Sequence, residues 1–554
     1  MGLLVVAEKS SVARAIRLAV RPPAVVALRG HFLELDFPKE YNSWRSVDPK
    51  ELFRAPVTWV VRDRRAYSEV LRAVKGADGV VIATDNDAEG ELIGYEVLLT
   101  ARKALGRDPA FKRMRFNAAT PAELKKAWSS LEPDLKWGWV WKALFRHRFD
   151  LVTGAAFTRL MTLSKKVRPD GKLVSWGSCQ SPTLWFVYER EMEIRNFKPE
   201  KYWVVSAIID AHGVKVKVLT EPFKGEDEAK RVYAVARVVK QALIKDFKLK
   251  DQVAHKPLPT DTDAMLQELA RAFGLSGAKA MSIAEDLYAD GFISYPRTET
   301  NMWVGVNHKQ VLSMLSATHL GRFFNAADLN PRSGKRNDGA HPPIHPTGAY
   351  SGSDLKGRIW EFLARRYLAN TVGKDALFKA WSLSVSLNGV SMSASNKYFV
   401  DRGFYKLFPY FEPKDTLYIP QLQAGERLPV LDVELEEKET KPPPRLTEAE
   451  LLRLLKNNGI GTDATRADYP QIIVERGYAW KKGKAFFLSE LGEGVIKVLE
   501  GADSRLVTPE TRRYVEELMV KVERWELSLE KALEESLNTY KNIYETVERK
   551  LTGF

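Results

Sequence analysis

Two apolar runs that each end in acids constrain this chain more than any other feature. Residues 3–7 read Leu-Leu-Val-Val-Ala and lead into Glu8 and Lys9; residues 80–83 read Val-Val-Ile-Ala and lead into Thr84-Asp85-Asn86-Asp87-Ala88-Glu89-Gly90. Unbroken apolar runs of this length suit parallel strands buried on both faces. A helical pattern follows each run. Val12, Ala15, Ile16 and Ala19 share a face behind a capping Ser10 or Ser11, and Ile93 and Val97 share another. Two strand–turn–helix units in succession predict an α/β first domain. Ligand sites in such folds lie beyond the carboxyl ends of the strands, which is where the acids fall.

In an extended segment Asp85 and Asp87 point the same way; Glu8 ends the other strand and can join them, with Glu89 and Glu91 beyond. Carboxylates converging at one place repel one another unless a cation sits between them. Hard oxygen ligands suit Mg²⁺, which bridges carboxylates and phosphates. The plainer alternative is an acidic loop with ordinary capping charges.

The chain as a whole is basic, with 85 Lys and Arg against 71 Asp and Glu and a net charge of +14. That excess favours a polyanionic partner. At 554 residues, three or four domains are expected. The one cysteine, Cys179, excludes an internal disulfide and a multi-cysteine zinc site, and it fits a reducing compartment. The N-terminus lacks a basic region ahead of its apolar residues and reads as a strand, not a signal peptide. No apolar run approaches membrane-spanning length. Scarce glutamine with abundant Lys, Arg and Glu leans towards a thermophile. There is no internal repeat and no phosphate-binding G-x-x-x-x-G-K-[ST] loop.

Further along, residues 120–165 are expected to be helical, with Trp137, Trp141 and Leu144 as a core-packing stripe. Residues 202–220 and 376–435 alternate apolar and polar, as strands do, around a mainly helical stretch at 261–370. This predicts a β domain interrupted by a helical insertion. Three prolines at 442–444 stiffen a linker, Thr447 and Glu450 form a capping box for a helix ending near Gly459, and residues 508–551 read as amphipathic helices.

Three more segments carry chemistry. In residues 291–300, Gly291 can end an amphipathic helix and Pro296 forces Tyr295 towards an extended conformation, so that Tyr295 and Arg297 share a face. A phenol beside a fixed guanidinium is a nucleophile suited to phosphate. The alternative is a buried tyrosine next to a surface arginine. Residues 338–347 place His341 and His345 on a proline-rich loop, where the lack of cysteine or a nearby acid pair argues against zinc. In residues 458–466, glycines allow close backbone approach, and Thr465 and Arg466 are placed to hold a phosphate.

Together these segments resemble type IA DNA topoisomerases over essentially the whole chain. Val6-Ala7-Glu8-Lys9 resembles the family's first metal-site strand and residues 84–90 its TOPRIM acidic motif; Gly30-His31-Phe32-Leu33-Glu34-Leu35 is similar to its glycine–histidine loop. Residues 146–159 and 175–190 resemble two DNA-groove motifs, 293–298 the active-site tyrosine motif, and 341–347 and 459–466 two later signatures. Two positions depart from the pattern: Ala88 stands where arginine is frequent, and Ser178-Cys179 where an arginine commonly precedes the groove glutamine. The cysteine-rich C-terminal modules of many relatives are absent, and the layout is most similar to archaeal enzymes of the topoisomerase III kind.

The resemblance implies a multidomain α/β and α+β toroid. Its parts would be a Rossmann-like TOPRIM domain (1–145), a helical DNA-groove domain (146–200 and 445–554), a β-rich gate or hinge domain (201–260 and 371–444) and a helical domain carrying the tyrosine (261–370). It implies a nucleophile at Tyr295, catalytic roles for Arg297, Glu8, Lys9 and His341, and Mg²⁺ on Glu8, Asp85, Asp87 and Glu89. Arg146, Asp150, Arg159, Gln180, Thr183, Thr465 and Arg466 would contact DNA. The expected activity relaxes negatively supercoiled DNA without ATP through a 5′-phosphotyrosyl ester to single-stranded DNA; decatenation and a helicase partner are left open. The setting would be the cytoplasm of a prokaryote, at the nucleoid, with no membrane. A TOPRIM primase or nuclease, or a non-catalytic single-strand binding protein, are the competing classes.

Overall fold

The computed structural model describes residues 2–463 and 465–552; Met1, Ala464 of the 458–466 segment, Gly553 and Phe554 lie outside the described residues. At the N-terminal end, strands Leu3–Ala7 and Gly79–Ala83 lie side by side, flanked by Ala24–Ala27 and Phe111–Arg113, all parallel. Successive residues of the two central strands enter different cores. Leu4, Val6, Val80 and Ile82 pack with the helices Ala88–Leu105 and Trp137–Leu163. Val5, Ala7, Val81 and Ala83 pack in a second core that also holds Tyr288, Ile293 and Tyr295. The sheet is therefore the wall between a groove-side core and the core of the tyrosine-bearing unit, which is why its strands carry no polar alternation.

Strands Lys201–Ala211, Val214–Leu219, Gln241–Ala254, Ala376–Leu387, Val390–Asp401 and Arg427–Glu439 close into a barrel. Between its third and fourth strands the chain leaves to build the helices Thr262–Phe273, Gly277–Ala289, His308–Ser316 and Leu355–Thr371, then returns. Thr447 and Glu450 form a complete capping box on helix Glu448–Asn457. The helices Pro509–Glu523 and Leu529–Thr552 pack back against Trp137–Leu163. No helix among the described residues is long and apolar enough to cross a membrane.

The boundary expected at residues 145/146 lies within the 27-residue helix Trp137–Leu163, whose Val140, Ala143 and Leu144 are buried in the same core as the sheet. The tryptophan stripe packs against this core at its edge. Trp137 and Trp141 are only half-buried and stack on each other at 5.6 Å, lining a surface cavity with Tyr95 and Trp525, while Leu144 alone is buried.

Candidate active site

The acids stand at the carboxyl ends of the two central strands. Glu8 follows Ala7, and its Oε2 accepts the backbone N–H of Asp85 at 2.9 Å. Loop 84–90 is drawn tight. A Cβ on Gly90 would sit 2.1 Å from the Asp85 carbonyl oxygen, so only glycine fits there. That same carbonyl accepts from the fully buried Arg113 guanidinium at 2.7 Å. Asp87 is the N-cap of helix Ala88–Leu105: its Oδ1 accepts from Gly90 N at 2.7 Å, leaving Oδ2 to face outward.

The tyrosine reaches this loop from another unit. Helix Gly277–Ala289 ends and Gly291, at φ +82°, turns the chain where a Cβ would come within 3.2 Å of the Ala119 carbonyl. Ser294 N then donates to His345 O at 2.9 Å and Tyr295 N to Asn117 O at 2.8 Å, pinning the segment between loop 343–347 and the sheet domain. Tyr295 is 1% exposed, and its hydroxyl donates to Asp87 Oδ2 at 2.6 Å. Burial first, then the Asp87 charge, pushes the phenol well above its ordinary acid range. Arg297 Nη1 lies 3.7 Å from the same Asp87 oxygen, and its Nη2 pairs with Glu285. Lys9 Nζ lies 2.9 Å from Asp85 Oδ2 and 3.9 Å from Glu285. The His341 ring sits 5.0 Å from that of Tyr295, with Nδ1 held 3.2 Å from Asp338.

Several buried polar atoms here have no protein partner: Asp85 Oδ1, Tyr288 Oη, Arg297 Nε and His341 Nε2. Unsatisfied buried groups are costly, and their concentration at one place marks where a ligand completes the bonding. Glu8 adds to this. Burial, then the neighbouring Asp85 charge, pushes its carboxyl up to about 8. Crowded carboxylates with one free buried oxygen are a donor set that fits a hard divalent cation. The unpaired guanidinium and imidazole nitrogens fit a phosphate.

Glu89 and Glu91 do not join this set. Glu89 Oε1 is 2.8 Å from Arg146, and its Oε2 lies 2.8 Å from His147 Nε2 and 3.0 Å from His31 Nε2. Helix geometry turns Glu89, two residues past the cap, away from Asp85. His31, Glu89 and His147 bring donor atoms within 4.8 Å of one another, a trio that could hold a metal ion. Without an ion there, burial opposes the His31 charge, but the hydrogen bonds to Glu89 and Glu96 push its imidazole up to about 10. Glu91 is fully buried against Arg113 and Arg115.

The expected DNA contacts divide. Arg146 lines a cleft of about 610 Å³ that also contains Asp87, His341, Lys142 and Asp463. Asp150 keeps 42% of its side chain exposed, whereas Gln180 is buried and its Nε2 donates to Ser175 O at 3.1 Å. Arg466 lines the same cleft while its guanidinium is tied to neighbouring acceptors, and Arg159 and Thr183 bond within the fold. Arg159 donates to Tyr41 O at 2.7 Å, Thr183 to Cys179 O at 2.7 Å, and Arg466 to Asp263, Ile460 O and Gly461 O. Thr465 Oγ1 accepts from Thr462 N at 3.2 Å, closing its own loop. Where the family's arginine was missing at Ser178, Arg512 arrives from helix Pro509–Glu523, donating to Ser178 Oγ at 2.8 Å and Asp150 Oδ1 at 3.1 Å. Asn117, Glu285, Tyr288, Asp338 and Arg113 belong to the site and were not foreseen. Only Tyr288, seven residues before Tyr295 on the preceding helix, had a local signal.

A parallel sheet whose acids meet a tyrosine from a helical insertion defines a TOPRIM-type strand-cleaving architecture. Residues 3–119 match the Toprim domain and residues 134–534 match the DNA topoisomerase family. The chain belongs to the type IA DNA topoisomerases, enzymes that cut one DNA strand, pass a strand through the break and relax supercoils. It is 33% identical over 504 residues to DNA topoisomerase 1 of Archaeoglobus fulgidus, a match covering 89% of this chain and 74% of that protein. It is likewise 33% identical over 549 residues to DNA topoisomerase 3-alpha of Drosophila melanogaster, covering 96% of this chain and 43% of that protein. The fold matches full-length topoisomerase I from Thermotoga maritima with a TM-score of 0.78 at 22% identity, over 98% of this chain and 90% of that one. This is the multidomain toroidal architecture.

Proposed function

We propose that Tyr295 is the nucleophile of the strand cleavage, on one carrying observation: its hydroxyl lies 2.6 Å from Asp87, in a cluster of unpartnered buried donors and acceptors. The phenolic oxygen attacks a backbone phosphorus of single-stranded DNA and its proton passes to Asp87. The bond from phosphorus to the 3′ oxygen breaks, and that oxygen takes a proton from Glu8, whose raised acid range keeps it protonated near neutrality. The 5′ end is left as a phosphotyrosyl ester. Arg297 and the free His341 nitrogen hold the phosphate oxygens, and Lys9 balances charge beside Asp85. Asp85, with Asp87 beside it, would hold Mg²⁺, which supplies positive charge for the retained 3′ end and the phosphate. The ester conserves the energy of the broken bond, so resealing needs no ATP.

In this reading the helical unit at 261–370 moves with the strand bound to Tyr295, and the barrel strands at 201–260 and 371–444 supply the hinge. The buried tyrosine then belongs to the closed, DNA-free gate. Relaxation of negative supercoils and decatenation both follow from such an opening, in the nucleoid of a prokaryotic cell. The test is a linear single-stranded oligonucleotide denatured in detergent after incubation. Protein should stay attached to the 5′ end at Tyr295; attachment at another residue, or none at all, refutes the assignment.

A further inference from the structure

Outside the cleft, on the sheet domain, Arg29, His31, Arg62, Asp63, Arg64 and Arg65 surround a cavity of about 720 Å³. All four arginines are exposed. Among the described residues, Arg29, Arg64 and Arg65 have no carboxylate partner, and Arg62 has only Glu34 at 3.9 Å. The single acid, Asp63, accepts from Arg65 N and Ala66 N at 2.9 and 3.0 Å as a helix cap. Arg64 and Arg65 occupy the first turn of helix Arg64–Lys75, and that turn holds no acid beyond the capping Asp63. Cations there face the positive end of the helix dipole, an arrangement that weakens the helix. Local folding thus gives no reason for this charge, and an external anion does.

The cavity adjoins the cleft. His31 lines one and Glu89 the other, and their side chains meet at 3.0 Å. No Phe, Tyr or Trp lines the arginine cavity, and its one ring, His31, is held by Glu96 and Glu89, so it offers little stacking platform for a run of unpaired bases. Duplex DNA, by contrast, carries one charge per about 1.7 Å of axis and is gripped by its phosphates alone.

We propose that these four arginines form a second DNA site, which grips the phosphate backbone of the duplex flanking the single strand held in the cleft. This deepens the cleavage reading, since it requires DNA to lie in that cleft.

The test compares wild type with an Arg29→Ala/Arg64→Ala/Arg65→Ala variant on two labelled probes, a short single strand and the same strand continued into a duplex. On the duplex-bearing probe the log–log salt slope of binding should fall by roughly 2.7, about 0.9 for each lost phosphate contact. Affinity for that probe at low salt should drop by about tenfold or more. The short single strand should bind as before and give the same covalent adduct yield, which also shows that the variant is folded. Lysine at all three positions should restore the slope. An unchanged slope on the duplex-bearing probe overturns the proposal, and so does an equal loss on the single strand. Absence of adduct from wild type would strike the Tyr295 assignment and leave the slope measurement standing.

Discussion

Tyr295 and Asp87 are 208 residues apart in the chain, yet the phenol donates to the carboxylate at 2.6 Å. The bond joins a helix N-cap of the sheet domain to a loop of the helical insertion. The proposed nucleophile is thereby sealed against an acid across a surface that, in the proposed mechanism, parts for a strand to pass.

Tyr295→Phe removes the one oxygen able to form the ester while leaving the DNA-facing cations in place. Detergent-stable adducts should disappear, and single-strand affinity measured by fluorescence anisotropy should stay within about twofold of wild type. A normal adduct yield from the variant would sink the proposed nucleophile.

Asp85→Asn removes charge from the carboxylate with a free buried oxygen and an ion pair to Lys9. Plasmid relaxation should need about tenfold more Mg²⁺, equivalent to roughly 1.4 kcal/mol of lost binding. Titrating relaxation against Mg²⁺ without ATP measures this; an unmoved midpoint would remove Asp85 from the metal site.

Glu96 is fully buried and holds His31 Nδ1 at 2.5 Å and the Phe32 and Leu33 amides at 3.1 and 3.0 Å. Glu96→Ala strands a cation and two backbone donors, a loss of about 3–5 kcal/mol. The first thermal transition should fall by several degrees in calorimetry, and a variant melting like wild type contradicts the account.

His345 is buried beside the site loop, and burial pushes its imidazole down to about 4. In the unfolded chain it titrates near about 6.5, so between these values the unfolded state binds a proton that the folded state refuses. The stabilisation is full above about pH 6.5 and is lost as pH falls towards 4, by an amount on the order of 3 kcal/mol. Melting temperatures across that window should decline more steeply for wild type than for His345→Asn; parallel curves would refute the assignment.

The sequence by itself determined the elements whose signals are short-range. Strands Leu3–Ala7 and Gly79–Ala83 announce themselves because every residue is apolar, and they are so because both faces are covered. The acids fall at the strand ends by chain order alone, and Pro296 with Gly291 shapes the tyrosine segment locally. Only the tertiary structure decided which acids act together. Glu89 sits two residues from Asp87 in the same motif, but one helical turn aims it at Arg146 and His147, on a helix more than fifty residues away. The same holds for Arg159, whose guanidinium donates to the Tyr41 carbonyl, and for Arg512, which meets Ser178 from 334 residues along the chain. Periodicity reports how a residue relates to its near neighbours. The partner of a long polar side chain is fixed by packing between units, which no local pattern encodes.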